Sequence, residues 1–258
     1  MRTFAILCGL LLSSSAIAAD YKPYKPGSAF DWNGAYVGVF AGTATSKGTA
    51  VLESFAGPLM TNWDVPQGLV PRSIGNSKTG FSGGLAVGYN IQAGSFVGGV
   101  EADVSFAKLD VINSFSRLDN APGSPIPGVH TNTSYESRFG PIMTARLRAG
   151  FTFDRTMVYG TAGLATGKIT NRTTLAIPEL GYRSPDWSTE GYRAGIAYGV
   201  GVEHRITDRI GIKLEALALN FKDTSVTAVD PVAFPGETFT YKFKNEALLG
   251  RVGLYVAF

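Results

Sequence analysis

Along the last eleven residues of the chain, apolar and small side chains take every even position: Leu248, Gly250, Val252, Leu254, Val256 and Phe258. Leu249, Arg251, Gly253, Tyr255 and Ala257 take the odd ones. Successive side chains of a strand point to opposite faces, so this stretch is a strand with one greasy face and one more polar face. About eleven residues is the length a tilted strand needs to cross a bilayer.

The same alternation recurs upstream. In Trp32–Thr43, Ala35, Val37, Val39 and Ala41 oppose Gly34, Tyr36, Gly38, Phe40 and Gly42. In Thr79–Ile91, Phe81, Leu85, Val87, Tyr89 and Ile91 share one parity, and Ser82, Gly84, Ala86, Gly88 and Asn90 the other. Ser95–Phe106 places Glu101 and Asp103 opposite Phe96, Val100, Ala102, Val104 and Phe106. Phe139–Phe153 sets Arg146 and Arg148 against Met143, Ala145, Leu147, Ala149 and Phe151. Glu190–Arg205 carries Arg193 and Glu203 opposite Tyr192, Ile196, Tyr198, Val200 and Val202, and Arg209–Phe221 carries Lys213 and Glu215 opposite Ile210, Ile212 and Leu214. Met157–Ile169 bears no charge in its alternating part, and its pattern leaves the facing open while leaning to an outward even side.

Energetics assign the faces of the charged runs. An Arg on the lipid face near the midplane costs ~2–4 kcal/mol, so Arg146 and Arg148 point inward. The runs are joined alternately by tight turns, at Gln92-Ala93-Gly94, Asp154-Arg155-Thr156 and Ile206-Thr207-Asp208, and by long polar stretches, Thr43–Lys78, Ala107–Arg138, Thr170–Thr189 and from Lys222 to near Asn245. An even number of strands with short and long connections alternating predicts an all-β fold: an eight-stranded antiparallel transmembrane β-barrel with short periplasmic turns and long extracellular loops. Closure removes the unpaired edges that lipid cannot hydrogen-bond.

A soluble eight-stranded barrel would show the same alternation with its faces exchanged. Its water-facing parity would then be mostly Gly, Ala and Ser, thin cover for an exposed sheet but suited to a narrow lumen. Aromatic residues at strand ends, Phe139 with Phe151, Phe96 with Phe106 and Phe81 with Tyr89, are expected to form the two interfacial girdles.

Composition narrows the compartment. Arg2, the apolar run Phe4–Leu12 and the A-x-A pattern at Ala16–Ala18 read as an export signal over residues 1–19, with cleavage after Ala18 and after Ala19 equally compatible. An extended lead-in, 20–31, precedes the barrel, 32–258. Cys8, the chain's one cysteine, lies in that signal, which leaves the exported protein without thiol chemistry. No other segment approaches eighteen consecutive apolar residues, which excludes a membrane-spanning helix. Charged residues make up 17% of the 258, net charge is +3 and basic residues are scattered, so no nucleic-acid partner is expected.

The W-N-G-A-Y-V-G stretch (Trp32–Gly38), the Y-G-T-A-G-L-A run (Tyr159–Ala165) and the closing G-R-V-G-L-Y-V-A-F (Gly250–Phe258) resemble the small outer-membrane β-barrel family typified by major surface proteins of Brucella, Bartonella and rhizobia. The resemblance implies an abundant surface protein of a Gram-negative outer membrane that helps maintain the envelope, with porin-like and haem-binding members in the family. The final residues look like the signal read by the barrel-assembly machinery, with Arg251, Gly253, Val256 and Phe258 in the signal positions. Expected partners are outer-membrane lipid, lipopolysaccharide and that machinery, and a homo-oligomer is admitted by the pattern.

Chemistry is sparse. Of two histidines, His130 falls in a predicted loop beside Asn132 and Ser134, and His204 on the lipid-facing parity at the periplasmic end of its strand. Neither has the partners that nucleophilic, acid–base or zinc chemistry requires, so no catalytic, cofactor or metal residues are expected. His130 with Tyr135 and Tyr182 is a weak haem candidate. The inward charges Glu101, Asp103, Arg146, Arg148, Arg193, Glu203, Lys213, Glu215 and Arg251 are expected either to fill the lumen with ion pairs or, as the alternative, to line a narrow ion passage.

Overall fold

The computed structural model describes residues 30–258, Lys108 excepted. The strands are β1 (Gly34–Ala56), β2 (Ser73–Ala93), β3 (Phe96–Ala107), β4 (Leu109–Asp119), β5 (Val129–Phe153), β6 (Thr156–Ile177), the two-residue β7 (Tyr182–Arg183), β8 (Trp187–Arg205), β9 (Ile210–Val229) and β10 (Thr238–Ala257). Every pairing is antiparallel, and β1, β2, β3, β5, β6, β8, β9 and β10 form a closed ring. β4 prolongs β3 along β5, so eight walls make the barrel. The ring closes where Tyr36 of β1 meets Ala257 of β10, which makes the final strand the seam. Among the described residues no helix is long and apolar enough to cross a membrane.

Outward facing follows the parity in the sequence. Val37, Leu85, Val100, Leu147, Val200, Leu214 and Leu254 are exposed on the outer wall. On β6 the outward set is Val158, Gly160, Ala162 and Leu164, which settles the one undecided strand in favour of its even side. The apolar outer stretch runs from Phe81 to Ile91 on β2 and from Phe96 to Phe106 on β3, and each matches one bilayer crossing.

Most of each expected long loop is strand. β1 runs for 23 residues and β5 for 25, about twice what a crossing needs. The real connections shrink to 57–72, 120–128, 178–186 and 230–237. Beyond the lipid the outer face meets water, so its side chains turn polar while the backbone ladder continues: Thr43, Thr45, Lys47 and Thr49 on β1, and Lys168, Thr170, Arg172 and Thr174 on β6. With both parities mixed, the hydrophobic contrast that marks a strand disappears, although threonine-rich sequence still favours strand geometry.

Phe139 does not stand on the girdle. The register of β5 against β6 shifts between Phe139 and Ile142, around Gly140 and Pro141. Pro141 has no N–H for the ladder, and the bulge it occupies reverses the parity above it. Phe139 is therefore only 5% exposed, inside the barrel against Phe221, while Phe151, Phe96, Phe106, Phe81 and Tyr89 are outward.

The lead-in also contributes to packing. The expected export signal, residues 1–19, lies outside the described region, but Phe30 and Trp32 fold into the periplasmic end with Val97, Met157 and Tyr159. The strand begins only at Gly34, because Trp32 turns inward: its backbone N–H donates to Gln92 Oε1 at 2.8 Å and its indole N–H to the Asp154 carbonyl at 3.3 Å.

Inward glycines are required by close approach. Tyr36 lies opposite Gly88 on the neighbouring strand, where a Cβ would sit 2.3 Å from the ring; Tyr159 lies opposite Gly201, where a Cβ would sit 2.4 Å from its ring. Each tyrosine covers a bare backbone and gains an unobstructed route across the lumen. Gly88→Ala should therefore cost ~1–3 kcal/mol as an overpacking change. Gly160→Ala, whose Cβ would meet only a carbonyl at 4.0 Å on the outer wall, should be nearly neutral. Urea unfolding of both variants refolded into lipid vesicles checks the contrast.

Candidate functional site

Strand parity aims a set of long charged side chains at one level of the lumen. Glu101 of β3 is registered against Arg146 of β5, and Asp103 against Thr144. Arg251 of β10 is registered against Glu215 of β9, and Glu203 of β8 against Lys213. Cross-strand neighbours of opposite sign thus follow from the register alone.

The side chains then bridge the barrel. Arg146 contacts Glu101 Oε1 at 2.5 Å, Asp103 Oδ2 at 2.7 Å and Glu215 Oε1 at 3.1 Å. Arg251 grips Asp103 Oδ1 at 3.1 Å and pairs with Glu215 through its Nε at 2.9 Å. Arg148 reaches Glu203 Oε1 at 2.6 Å and Glu101 Oε2 at 3.4 Å, while Lys213 pairs with Glu101. Four carboxylates face four cations, and the network is neutral as a whole.

Neutral donors complete it. The Tyr36 hydroxyl donates to Glu101 at 2.6 Å and accepts from Arg148 at 2.5 Å; the Tyr159 hydroxyl donates to Glu215 at 2.8 Å, and Thr144 to Asp103 at 2.6 Å. The Arg148 guanidinium lies 4.0 Å from the centre of the Tyr159 ring, and Arg251 lies 4.4 Å from Phe40. These tyrosines share the charged parity, and a Tyr opposite a Gly was the signal available for them. Arg205 was overlooked because it ends its run: it is buried at the periplasmic end, 5.2 Å from the Trp32 ring.

Arg193 does not join. It is registered against Gly167, far up β8 from Glu203, and donates to Thr189 Oγ1 at 3.2 Å. The upward extension of β8 places it above the network, half-buried, out of reach of the lumen carboxylates.

Odd positions of β10 read off the layers above the network. Leu249 and Ala247 belong to an apolar layer with Leu217, Leu219, Phe221, Phe139, Ile142 and Ile169. Asn245 is buried next, at the level of Ser137 and Asn171, whose side chains share a 2.8 Å hydrogen bond. Phe243, Tyr241 and Phe239 join Tyr135 and Val226 in a second apolar layer beneath the extracellular mouth.

The remaining candidates fall apart spatially. His130 lies on β5 rather than in a loop, and its side chain faces outward. Its ring nitrogen and backbone N–H both meet Glu179, at 2.5 and 3.0 Å; these bonds hold the Glu179 carboxyl down at about 2. Tyr135 is buried on the opposite face, and the Tyr182 hydroxyl donates to Asp230 at 2.7 Å, so the three do not converge on a haem. Among the described residues no group of three or more His, Cys, Asp or Glu side chains is arranged to hold a metal. At the C-terminus Arg251 and Gly253 point inward, and Val256 and Phe258 outward.

Comparison with known proteins agrees with this architecture. The chain is 31% identical over 228 residues to the 31 kDa outer-membrane immunogenic protein of Brucella melitensis biotype 1, an alignment covering 85% of this chain and 87% of that protein. It is 30% identical over 136 residues to the 22 kDa outer membrane protein of Rhizobium leguminosarum bv. viciae, covering 53% of this chain and 50% of that one. The crystal structure of the outer membrane protease OmpT from Escherichia coli superposes with a TM-score of 0.50 at 9% identity, covering 90% of this chain and 98% of that one, a likeness of fold alone. A family model described as outer membrane protein beta-barrel domain matches residues 4–246. The chain belongs to this family of Gram-negative outer-membrane β-barrel proteins.

Proposed function

We propose that this protein is a non-catalytic component of the envelope: a surface-exposed barrel whose lumen is a structural plug and whose mouth carries its surface interactions. One observation carries the reading, the stacking of a neutral ion-pair layer directly beneath an apolar layer across the same lumen. An ion passing through would have to displace Arg146 and Arg251 from their carboxylates and then cross the apolar wall of Leu217, Leu219 and Leu249. Buried pairs of this kind hold strands in register, and hydrophobic constrictions oppose ion entry.

Lipid-level partners fit the outer wall. Just beyond the apolar band, Lys47, Arg138, Lys168, Lys222 and Lys244 face outward, at the height where lipopolysaccharide phosphates would lie. Val256 and Phe258, outward at the end of the seam strand, suit recognition by the barrel-assembly machinery, whereas Arg251 and Gly253 serve packing.

Three outcomes are expected. In planar bilayers the refolded protein should give no steady conductance steps; steps that change on Glu101→Gln would instead favour a porin-like channel. Arg146→Met should cost ~3–5 kcal/mol in urea unfolding, because it strands buried carboxylates, and adding Asp103→Asn to it should recover part of that loss. Deleting Phe258 should slow insertion in cells, read by heat-modifiability on gels, while leaving the refolded barrel's stability within ~0.5 kcal/mol, the scale of an exposed substitution.

A further inference from the structure

The extracellular mouth holds carboxylates that are not balanced as those of the lumen are. Segment 57–72 turns back over the opening through Gly57, at φ +107°, and a helical turn, Met60–Asp64. Beneath it lies a cavity of about 50 Å³ whose walls are mostly apolar, with Trp63, Ile126, Phe234 and Phe239 among them. Asp64, Asp119, Asp230 and Glu237 also line it, and no Lys, Arg or His does.

Two of the four are already satisfied. Glu237 accepts the backbone N–H groups of Leu59 and Met60, both at 2.9 Å, and so caps the helical turn. Asp230 accepts the Tyr182 hydroxyl at 2.7 Å and the N–H groups of Val232 and Ala233 at 3.1 and 2.9 Å. Asp119 is different. Its Oδ2 accepts the Trp63 indole N–H at 2.8 Å and the Ser124 hydroxyl at 2.6 Å, but its Oδ1 has no partner although the residue is only 3% exposed. Asp64 adds a second unmet demand: burial, with Glu237 and Asp119 close by, pushes its carboxyl up to about 6, so near neutral pH it becomes a charge lacking a counter-ion. A buried acceptor left open is costly, more so when charged, and a donor brought to it relieves that cost.

We infer that this vestibule binds a small organic monocation, a primary ammonium on a short apolar chain. Its head donates to Asp119 Oδ1 beside Asp64, and its chain lies on the wall of Trp63, Phe234 and Phe239. A hard divalent ion asks for six or more oxygen ligands and suits this apolar wall poorly. A cavity of about 50 Å³ restricts the inserted part to the head and its first few carbons. A charge-assisted hydrogen bond in a water-poor site supplies the preference for an amine over an isosteric alcohol.

The test is calorimetric titration of the full-length protein, refolded in detergent micelles at neutral pH, with n-butylamine, n-butanol, butyrate and Mg²⁺, each corrected for empty micelles. Saturable binding of n-butylamine, at least about ten-fold tighter than n-butanol and absent for butyrate and Mg²⁺, is expected. Asp119→Asn should weaken the amine by about ten-fold and leave n-butanol unchanged, with heat-modifiability retained. If Asp119→Asn disturbs the fold through Trp63, Asp64→Asn serves the same purpose, because its carboxylate holds no such indole. Equal binding of amine and alcohol, tighter binding of Mg²⁺, no saturable binding, or amine affinity indifferent to the folded variant would each overturn the proposal.

Discussion

Hydrocarbon offers no hydrogen bonds, and the fold follows from that. An open sheet would leave a row of backbone groups unpaired in lipid, so β10 must return to β1. A charge on the outer wall would cost several kcal/mol, so every charge within the apolar band turns inward. Once inside, each must find a partner in a space eight strands wide, and the partners come from other walls: Arg146 of β5 reaches Glu215 of β9, and Arg251 of β10 reaches Asp103 of β3. The network thereby ties non-adjacent strands across the lumen, which backbone ladders cannot do. The inward glycines belong to the same constraint. Tyr36 and Tyr159 deliver their hydroxyls to Glu101 and Glu215 only because Gly88 and Gly201 leave no side chain in the way.

The sequence was legible wherever lipid imposed a contrast. Within the apolar band, parity identified all eight walls and the tight turns and turned the proposed lumen charges inward, and the register then brings eight of the nine together at one level. Outside the band the same reading failed in a consistent way. Thr43–Thr49 and Lys168–Thr174 pair as regularly as their neighbours below, but water permits polar residues on the outer face, so the pattern read as loop. Arg193 was grouped with the network because parity gives a direction without a height, and height depends on how far β8 continues beyond the lipid. Phe139 failed for a third reason. One bulge around Pro141 reverses every facing above it, and a proline in an apolar run does not announce how many residues the ladder will skip.

Extension of the walls beyond the lipid also changes what the mouth can be. Long unstructured loops would offer recognition only through mobile segments. A barrel that continues upward presents a rigid rim, with Trp187 and Phe239 of β8 and β10 packed edge to face at 5.7 Å. The connecting segment 57–72 is anchored on that rim by Glu237, by the Trp63 indole on Asp119, and by Met60, Val65 and Val70 packed into the apolar layer beneath. A concave site on rigid strands is the setting in which a small number of polar groups can specify a ligand.

The two acidic clusters of this molecule therefore have different physical meanings. In the lumen network four carboxylates meet four guanidinium or ammonium groups, and the network's charges sum to zero. That balance supports the proposed structural role of the lumen. At the mouth the count does not close: Glu237 and Asp230 are spent on backbone and tyrosine donors, while Asp119 keeps one oxygen open and Asp64 is held beside two like charges. Among the described residues the vestibule wall carries no lysine or arginine. On the reading proposed above, the positive charge that meets Asp119 is a bound amine's, and the aromatic wall takes its apolar chain.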